Sequence, residues 1–384
     1  MKIRIPNYYT SFRCAAVECS DPCCSCWEVV TDEASREFYK TVEGPLGEKL
    51  RSSMYVDQDG DTCFRLQDGK CPFFLDNHLC EIQKDLGEAA LCNTCDMYPR
   101  FDEVYGNLEE MGLCLSCPEA AHLILGKEEK VEFILFDNGE DNTEFAEDFD
   151  GELLVYLIRA REMAIDILQD RTFPIDKRIA MFLQFTDEVQ KLIDKETLEL
   201  IPKLLKEYEK PYTRKVLSDS YESLRGRWID KREILDDYFR LYSKELEVLN
   251  PEWKAVMHRL CDFIDESFHG KRISAFLEFY REKEYQFENL MVYFVYRYFL
   301  QSICDGELCV RARFAVLSYL IIRELDVFYW SEQNHELSET QQIDLMHRYA
   351  REIEHSQENL DILLQAFLER EEFAQEALIS VLIN

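Results

Sequence analysis

At 384 residues the chain is long enough for roughly two or three domains, each with a real core. A hydrophobic content of 47% with 13% aromatics excludes a disordered polymer. The formal net charge of −32 argues against nucleic acid as the main partner, because phosphate binding needs a basic surface. The same charge suits a lysine-rich protein surface, or solubility alone.

Twelve of the fifteen cysteines lie at or before Cys117; the others are Cys261, Cys304 and Cys309. The opening residues, MKIRIPNYYTSF, hold no apolar run of secretory-signal length. The most apolar stretch, Met291 to Leu300, is too short to span a membrane and carries Arg297. A cysteine-dense chain without an export signal reads as metal-binding in a reducing compartment, so the expectation is a cytoplasmic protein with no membrane partner.

In chain order, the first knot is FRCAAVECSDPCCSCW, residues 12–27, with Cys14, Cys19, Cys23, Cys24 and Cys26 and a turn at Asp21–Pro22. Cys63 follows. The densest stretch, residues 71–100, holds Cys71, Cys80, Cys92 and Cys95. Within it Leu79, Ile82 and Leu86 recur at helical spacing, Gly87 marks a stop, and Pro99 ends any helix before it. Cys114 and Cys117 precede a helix that starts near Pro118. Residues 1–125 therefore read as a loop-rich module tied together by metal–thiolate bonds.

Residues 126–152 are acidic and turn-rich around one possible strand, Val131 to Phe136, and read as a linker. From residue 153 to 384 the periodicity is helical almost throughout. Leu154, Leu157, Ile158, Ile165 and Leu168 share one face, and Ile179, Phe182, Leu183 and Val189 share another. Asn250–Pro251 sets up one helix start, and Ser338 with Gln341 has capping-box spacing. Long helices are expected over Ser274 to Cys304 and Glu307 to Trp330. The aromatic run Tyr293, Phe294, Tyr296, Tyr298 and Phe299 covers too much of a helix to be one exposed stripe, and reads as core. The fold class is mainly α: a loop-rich cysteine module followed by an all-α helical bundle.

The sulfurs admit several metals. Cys92-x2-Cys95 with Cys114-x2-Cys117 has the paired-knuckle form of a zinc site. An iron–sulfur cluster also takes four thiolates and tolerates irregular spacing. Cys19-x3-Cys23-x2-Cys26 has the spacing of the radical S-adenosylmethionine enzymes, but those continue as a strand–helix barrel and this chain continues as loops and then helices.

The ordered set of residues 12–27, 71–100 and LSCPEAAHL resembles the flagellin lysine-N-methylase (FliB-type) family. Its cysteine module in turn resembles the YkgJ-like zinc- or iron-chelating domains. The motifs cover about the first 125 residues, and ENLMVYFVYRYFL is similar to the family's C-terminal helix pattern. Position by position, the resemblance puts family cysteines at Cys14, Cys19, Cys23, Cys24, Cys71, Cys80, Cys95 and Cys117, with Tyr98–Pro99–Arg100 and Pro118–Glu119 as flanking elements. Cys26, Cys92 and Cys114 depart from the pattern, which makes the radical-type trio look accidental and takes one member from each zinc-like knuckle.

The resemblance therefore implies a 4Fe–4S cluster, with zinc as the alternative, held among Cys19, Cys23, Cys24, Cys71, Cys80, Cys95 and Cys117. It implies methyl transfer from S-adenosylmethionine to surface lysines of flagellin. No Gly-rich strand–loop–helix for the donor is visible, so a doubly wound methyltransferase fold is not expected, and catalytic and donor-binding residues stay unassigned. Two other readings stand beside it: a metal-stabilised interaction module without catalysis, and an iron–sulfur redox or sensor protein.

Overall fold

The computed structural model describes residues 1–25, 27, 29–58, 60–139, 150–225, 228–264 and 269–383; Cys26, expected to be a spare thiol, lies outside them. The chain is mainly α, as its periodicity predicts. The cysteine-bearing part is more than loops, however. It contains β1 (Lys2–Pro6), β2 (Val29–Val30), α1 (Glu33–Thr41), α2 (Gly44–Ser53), β3 (Met54–Val56), β4 (Thr62–Phe64), α3 (Glu81–Leu86) and α4 (Asn93–Met97). The hairpin β5 (Arg100–Tyr105) and β6 (Leu108–Leu113) follows, then α5 (Pro118–Leu125) and β7 (Phe133–Asp137). Two small sheets result, in the orders β5-β6-β1-β7 and β2-β4-β3.

Strand β1 runs parallel to β6, with Ile3 opposite Glu109, and antiparallel to β7, with Arg4 opposite Leu135. The strand expected in residues 126–152 is thus present as β7. It completes a sheet with the first residues of the chain, so this stretch does more than connect. Short strands built by distant segments leave little local periodicity to read.

The second half comprises α6 (Gly151–Leu168), α7 (Ile175–Asp194), α8 (Ile201–Tyr208), α9 (Pro211–Ser220), α10 (Trp228–Lys244), α11 (Pro251–Ile264) and α12 (His269–Phe279). It continues with α13 (Glu284–Tyr298), α14 (Ser302–Asp305), α15 (Leu308–Glu332), α16 (Glu339–Ile353), α17 (Gln357–Glu369) and α18 (Gln375–Leu382). Helix α15 is apolar nearly all round, so it sits inside, with the other helices against it. The aromatic run of α13 is core, as expected. The single helix expected over residues 274–304 is instead broken at Arg281–Lys283 and Phe299–Gln301, where short 3-10 turns intervene. The charged Arg281–Glu282–Lys283 run has no apolar face to bury, which the flanking periodicity hides. The capping box at Ser338 forms, with Gln341 Oε1 accepting from the Ser338 amide at 2.9 Å.

Two hydrophobic clusters form, a small one beneath the cysteines and a large one through the bundle. The four-stranded sheet is fixed to the bundle by buried charge. Arg161 of α6 makes a bidentate pair with Glu110 of β6, one arm at 2.6 Å, and Arg4 adds a third bond at 3.1 Å. Tyr296 of α13 donates to the carbonyl oxygens of Arg4 and Met111 at 2.9 and 3.1 Å. Among the described residues, no helix is long and apolar enough to cross a membrane.

Removing one partner of a buried ion pair strands the other. Arg161→Ala is expected to cost about 3–5 kcal/mol of stability, read as a shift in denaturation midpoint at constant slope. A change below ~1 kcal/mol, the scale of an exposed pair, would mean the pair does not anchor the sheet.

Candidate metal centre

Four separate segments bring sulfur to one place. Pro22 turns the first segment so that Cys23 and Cys24 follow directly, and the Cys71 amide donates to the Cys24 carbonyl at 2.8 Å, joining the first and second. The chain then turns at Cys71, where the Phe74 amide donates to its carbonyl at 3.0 Å. Cys80 is the residue before α3, and Gly87, at φ 88°, ends that helix in a conformation that favours glycine. Cys92 precedes α4 and Cys95 lies within it. Asp32 holds α4 in place by accepting from the Asn93 amide at 2.8 Å, and Thr94 Oγ1 donates to the Val30 carbonyl at 2.8 Å. Beneath the sulfurs, Tyr39, Leu50, Phe64, Phe73 and Ile82 form the small core, and Tyr39 donates from its hydroxyl to Ala90 O at 2.8 Å.

Cys23, Cys24, Cys71, Cys80, Cys92 and Cys95 line one cavity of about 40 Å³, closed by apolar walls such as Val29, Ile82 and Leu91 and edged by Trp27 and Tyr98. Burial pushes the Cys71 thiol up to about 11 and raises Cys80. The thiols also act on one another. A hydrogen bond from Cys24 brings Cys23 down to about 7, and one from Cys95 lowers Cys92. A buried, sulfur-rich pocket of this kind favours thiolate only where charge is compensated.

Five of the seven sequence-predicted ligands therefore line the cavity: Cys23, Cys24, Cys71, Cys80 and Cys95. Cys19 and Cys117 do not line it; each feels the charge of Cys23 from nearby, and burial lifts Cys117 to about 12. Cys14 is exposed. Cys92, which the sequence pattern sets aside, is brought into the lining. Cys114 is not, because its sulfur accepts from Arg297 Nη1 at 2.9 Å. Among the described residues no group of three or more His, Cys, Asp or Glu is drawn together as a ready-made site for one ion.

The cavity is docked on the bundle through α16 and the residues after it. Arg351 donates to the carbonyl oxygens of Asp21 and Pro22 at 3.2 and 3.1 Å and to that of Ser25. It also pairs with the Asp21 carboxylate at 2.7 Å and lies 4.3 Å from the Trp27 ring. His347 Nε2 meets Asp21 at 3.1 Å, and the carboxylates of Asp21 and Asp344 hold it above the usual histidine range against the pull of burial. A second polar set lies behind Tyr98, whose hydroxyl is 3.2 Å from Ser116 Oγ, itself 2.6 Å from His355 Nε2. His355 is exposed at the surface, while desolvation of its ring beside Ser116, with Arg297 and Arg351 nearby, lowers it to about 4. Beside it Glu354 accepts from Tyr293 and Tyr298 at 2.7 and 2.6 Å.

None of these bundle residues stands out as a site in the sequence. The available signal is spacing: His347, Arg351, Glu354 and His355 follow one another at helical intervals in HRYAREIEH.

The arrangement defines a helical protein with a multi-thiol centre seated against its bundle. Residues 161–382 match the model of the FliB lysine N-methylase C-terminal domain, and the chain belongs to that family. It is 31% identical over 132 residues to the flagellar biosynthetic protein FliU of Salmonella muenchen, a match covering 31% of this chain and 75% of the relative. The lysine-N-methylases of Salmonella typhimurium and Salmonella choleraesuis match with the same identity and length, over 31% of each relative. The chain therefore spans about a third of these two relatives. No solved structure matches it.

Arg351→Met keeps an apolar stem against Trp27 but removes the ion pair and the carbonyl bonds. Amide hydrogen exchange is expected to rise in residues 19–27 and to stay unchanged in β5 and β6. Unchanged exchange in residues 19–27 would show that Arg351 does not hold the loop.

Proposed function

We propose that this protein is a protein-lysine N-methyltransferase that carries an iron–sulfur cluster and moves a methyl group from S-adenosylmethionine to surface lysines of flagellin. The observation that carries the reading is the six-thiol cavity seated on a bundle of the FliB lysine N-methylase family. The names of the two lysine-N-methylases and of FliU point the same way.

The donor set fits a cluster. Thiolates are soft ligands suited to iron–sulfur clusters and zinc, and among the described residues the cavity lining includes no imidazole or carboxylate that would favour a harder ion. A cluster binds each thiolate through a different iron, so it needs a cavity ringed by sulfur more than a single point of convergence. Four ligands would come from Cys23, Cys24, Cys71, Cys80, Cys92 and Cys95. Bound there, a cluster would supply the compensating positive charge, and redox capacity if the reaction uses it.

In the transfer, the neutral lysine nitrogen forms a bond to the methyl carbon as the carbon–sulfonium bond breaks. S-adenosylhomocysteine leaves as a neutral thioether, and the displaced proton passes to water or a carboxylate. The chain's net charge of −32 would draw lysine-rich surfaces and so raise the encounter rate.

Anaerobically purified protein is expected to contain iron and acid-labile sulfide, and to transfer labelled methyl groups to flagellin with kcat/KM falling as salt rises. Stoichiometric zinc without sulfide would remove the cluster. No transfer by fully loaded protein would remove the enzyme reading in favour of an interaction module. Serine at Cys92 or Cys95 is expected to lose most of the metal, whereas Cys114→Ser keeps it. Full metal content in both Cys92→Ser and Cys95→Ser would place the ligands elsewhere.

A further inference from the structure

A second cavity, of about 290 Å³, lies between the first cysteine loop and the bundle. Its wall includes Ser20 and Asp21, separated from Cys23 by Pro22, together with residues of α11, α15 and α16. The volume is near the lower end of small-molecule sites, roughly 300–1,000 Å³. We propose that this cavity is the binding site for the S-adenosyl methyl donor, an inference that rests on the methyltransferase reading above.

The lining has the chemistry such a ligand needs. S-adenosylmethionine carries a planar base, two hydroxyls, a sulfonium, an ammonium and one carboxylate, for a net charge near +1. The cavity offers the carboxylates of Asp21, Glu252, Asp344 and Glu352 against two arginines, Arg348 and Arg351. Arg351 is committed to Asp21 and the loop carbonyls, so Arg348, held 3.0 Å from Asp344, is the cation placed for a ligand carboxylate. Trp253 and Tyr329 supply aromatic faces for a base or a sulfonium. Glu352 is fixed by the Leu249 and Asn250 amides at 3.0 and 3.3 Å, and burial pushes it up to about 7. A carboxylate poised there gains most from a cationic neighbour.

Position separates this cavity from the larger one of about 470 Å³ near Arg171, Arg225 and Arg281, which touches no residue of the cysteine segment. Only the first shares a loop with the thiols, two residues from Cys23, so a ligand there would sit against the same backbone that Arg351 clamps.

The test is the Kd of S-adenosylhomocysteine for the full, metal-loaded chain by calorimetry. The variants are Glu252→Lys and Tyr329→Ala, with Glu278→Lys in the larger cavity as the control and thermal melting as the check on folding. The expected result is at least tenfold weaker binding in the first two and an unchanged Kd in the control. Equal Kd in all four proteins would overturn the location and leave the methyltransferase reading standing. Weakening only in Glu278→Lys would move the donor to the larger cavity. No binding by the wild type would also overturn the site. Methyl transfer to flagellin by that same preparation would then decide the enzyme reading independently: present, it survives; absent, it falls with the site.

Discussion

Arg351 is the contact on which the arrangement of the thiols depends. The loop carrying Cys23 and Cys24 has no regular structure of its own, and its carbonyls at Asp21, Pro22 and Ser25 all accept from this one guanidinium. Carbonyls withdrawn from water need donors, and a planar fork with several N–H groups can serve three of these half-buried ones while its face lies on Trp27. Asp21 neutralises the charge that this requires. The first pair of cysteines is therefore positioned from the bundle, and the other two pairs from their own local turns and helices. Thiol centre and bundle form one unit because the anchor of the first lies on a helix of the second.

The same economy explains why a small core lies under the cavity. Short helices and two- or three-residue strands bury little area each, so Tyr39, Leu50, Phe64 and Phe73 must gather from four segments to hold the cysteines around one cavity. The apolar walls that result desolvate the thiols, which raises Cys71 and Cys80. That is the environment in which binding a cation releases protons and stabilises the fold together.

The bundle was legible in the sequence because amphipathic periodicity over long helices is a strong signal. The helix start at Pro251 and the capping box at Ser338 fall where the residues put them. The breaks at Arg281–Lys283 and Phe299–Gln301 were not legible: the periodicity on either side hides the first, and apolar spacing runs on across the second. Nor were the two small sheets, whose pairing joins residues 2–6 to residues 108–113 and 133–137. At the centre, residue type and clustering marked the cysteines, while Cys92, which the family pattern sets aside, enters the cavity lining through its spatial neighbours. The residues that hold the centre, Arg351 and His355 above all, are ordinary helix-surface types. Only the fold turns them toward the cysteine loop. The family match lies over residues 161–382, the half whose helices carried the weaker resemblance.

The central claim is that one sulfur-ringed cavity, docked by Arg351, is where iron resides. Anomalous diffraction at the iron edge from crystals of the anaerobically purified chain tests it directly. The account predicts a single strong peak inside the cavity lined by Cys23, Cys24, Cys71, Cys80, Cys92 and Cys95. A peak beside Cys14, Cys19 and Cys117 instead, or none in protein that contains stoichiometric iron, would contradict it.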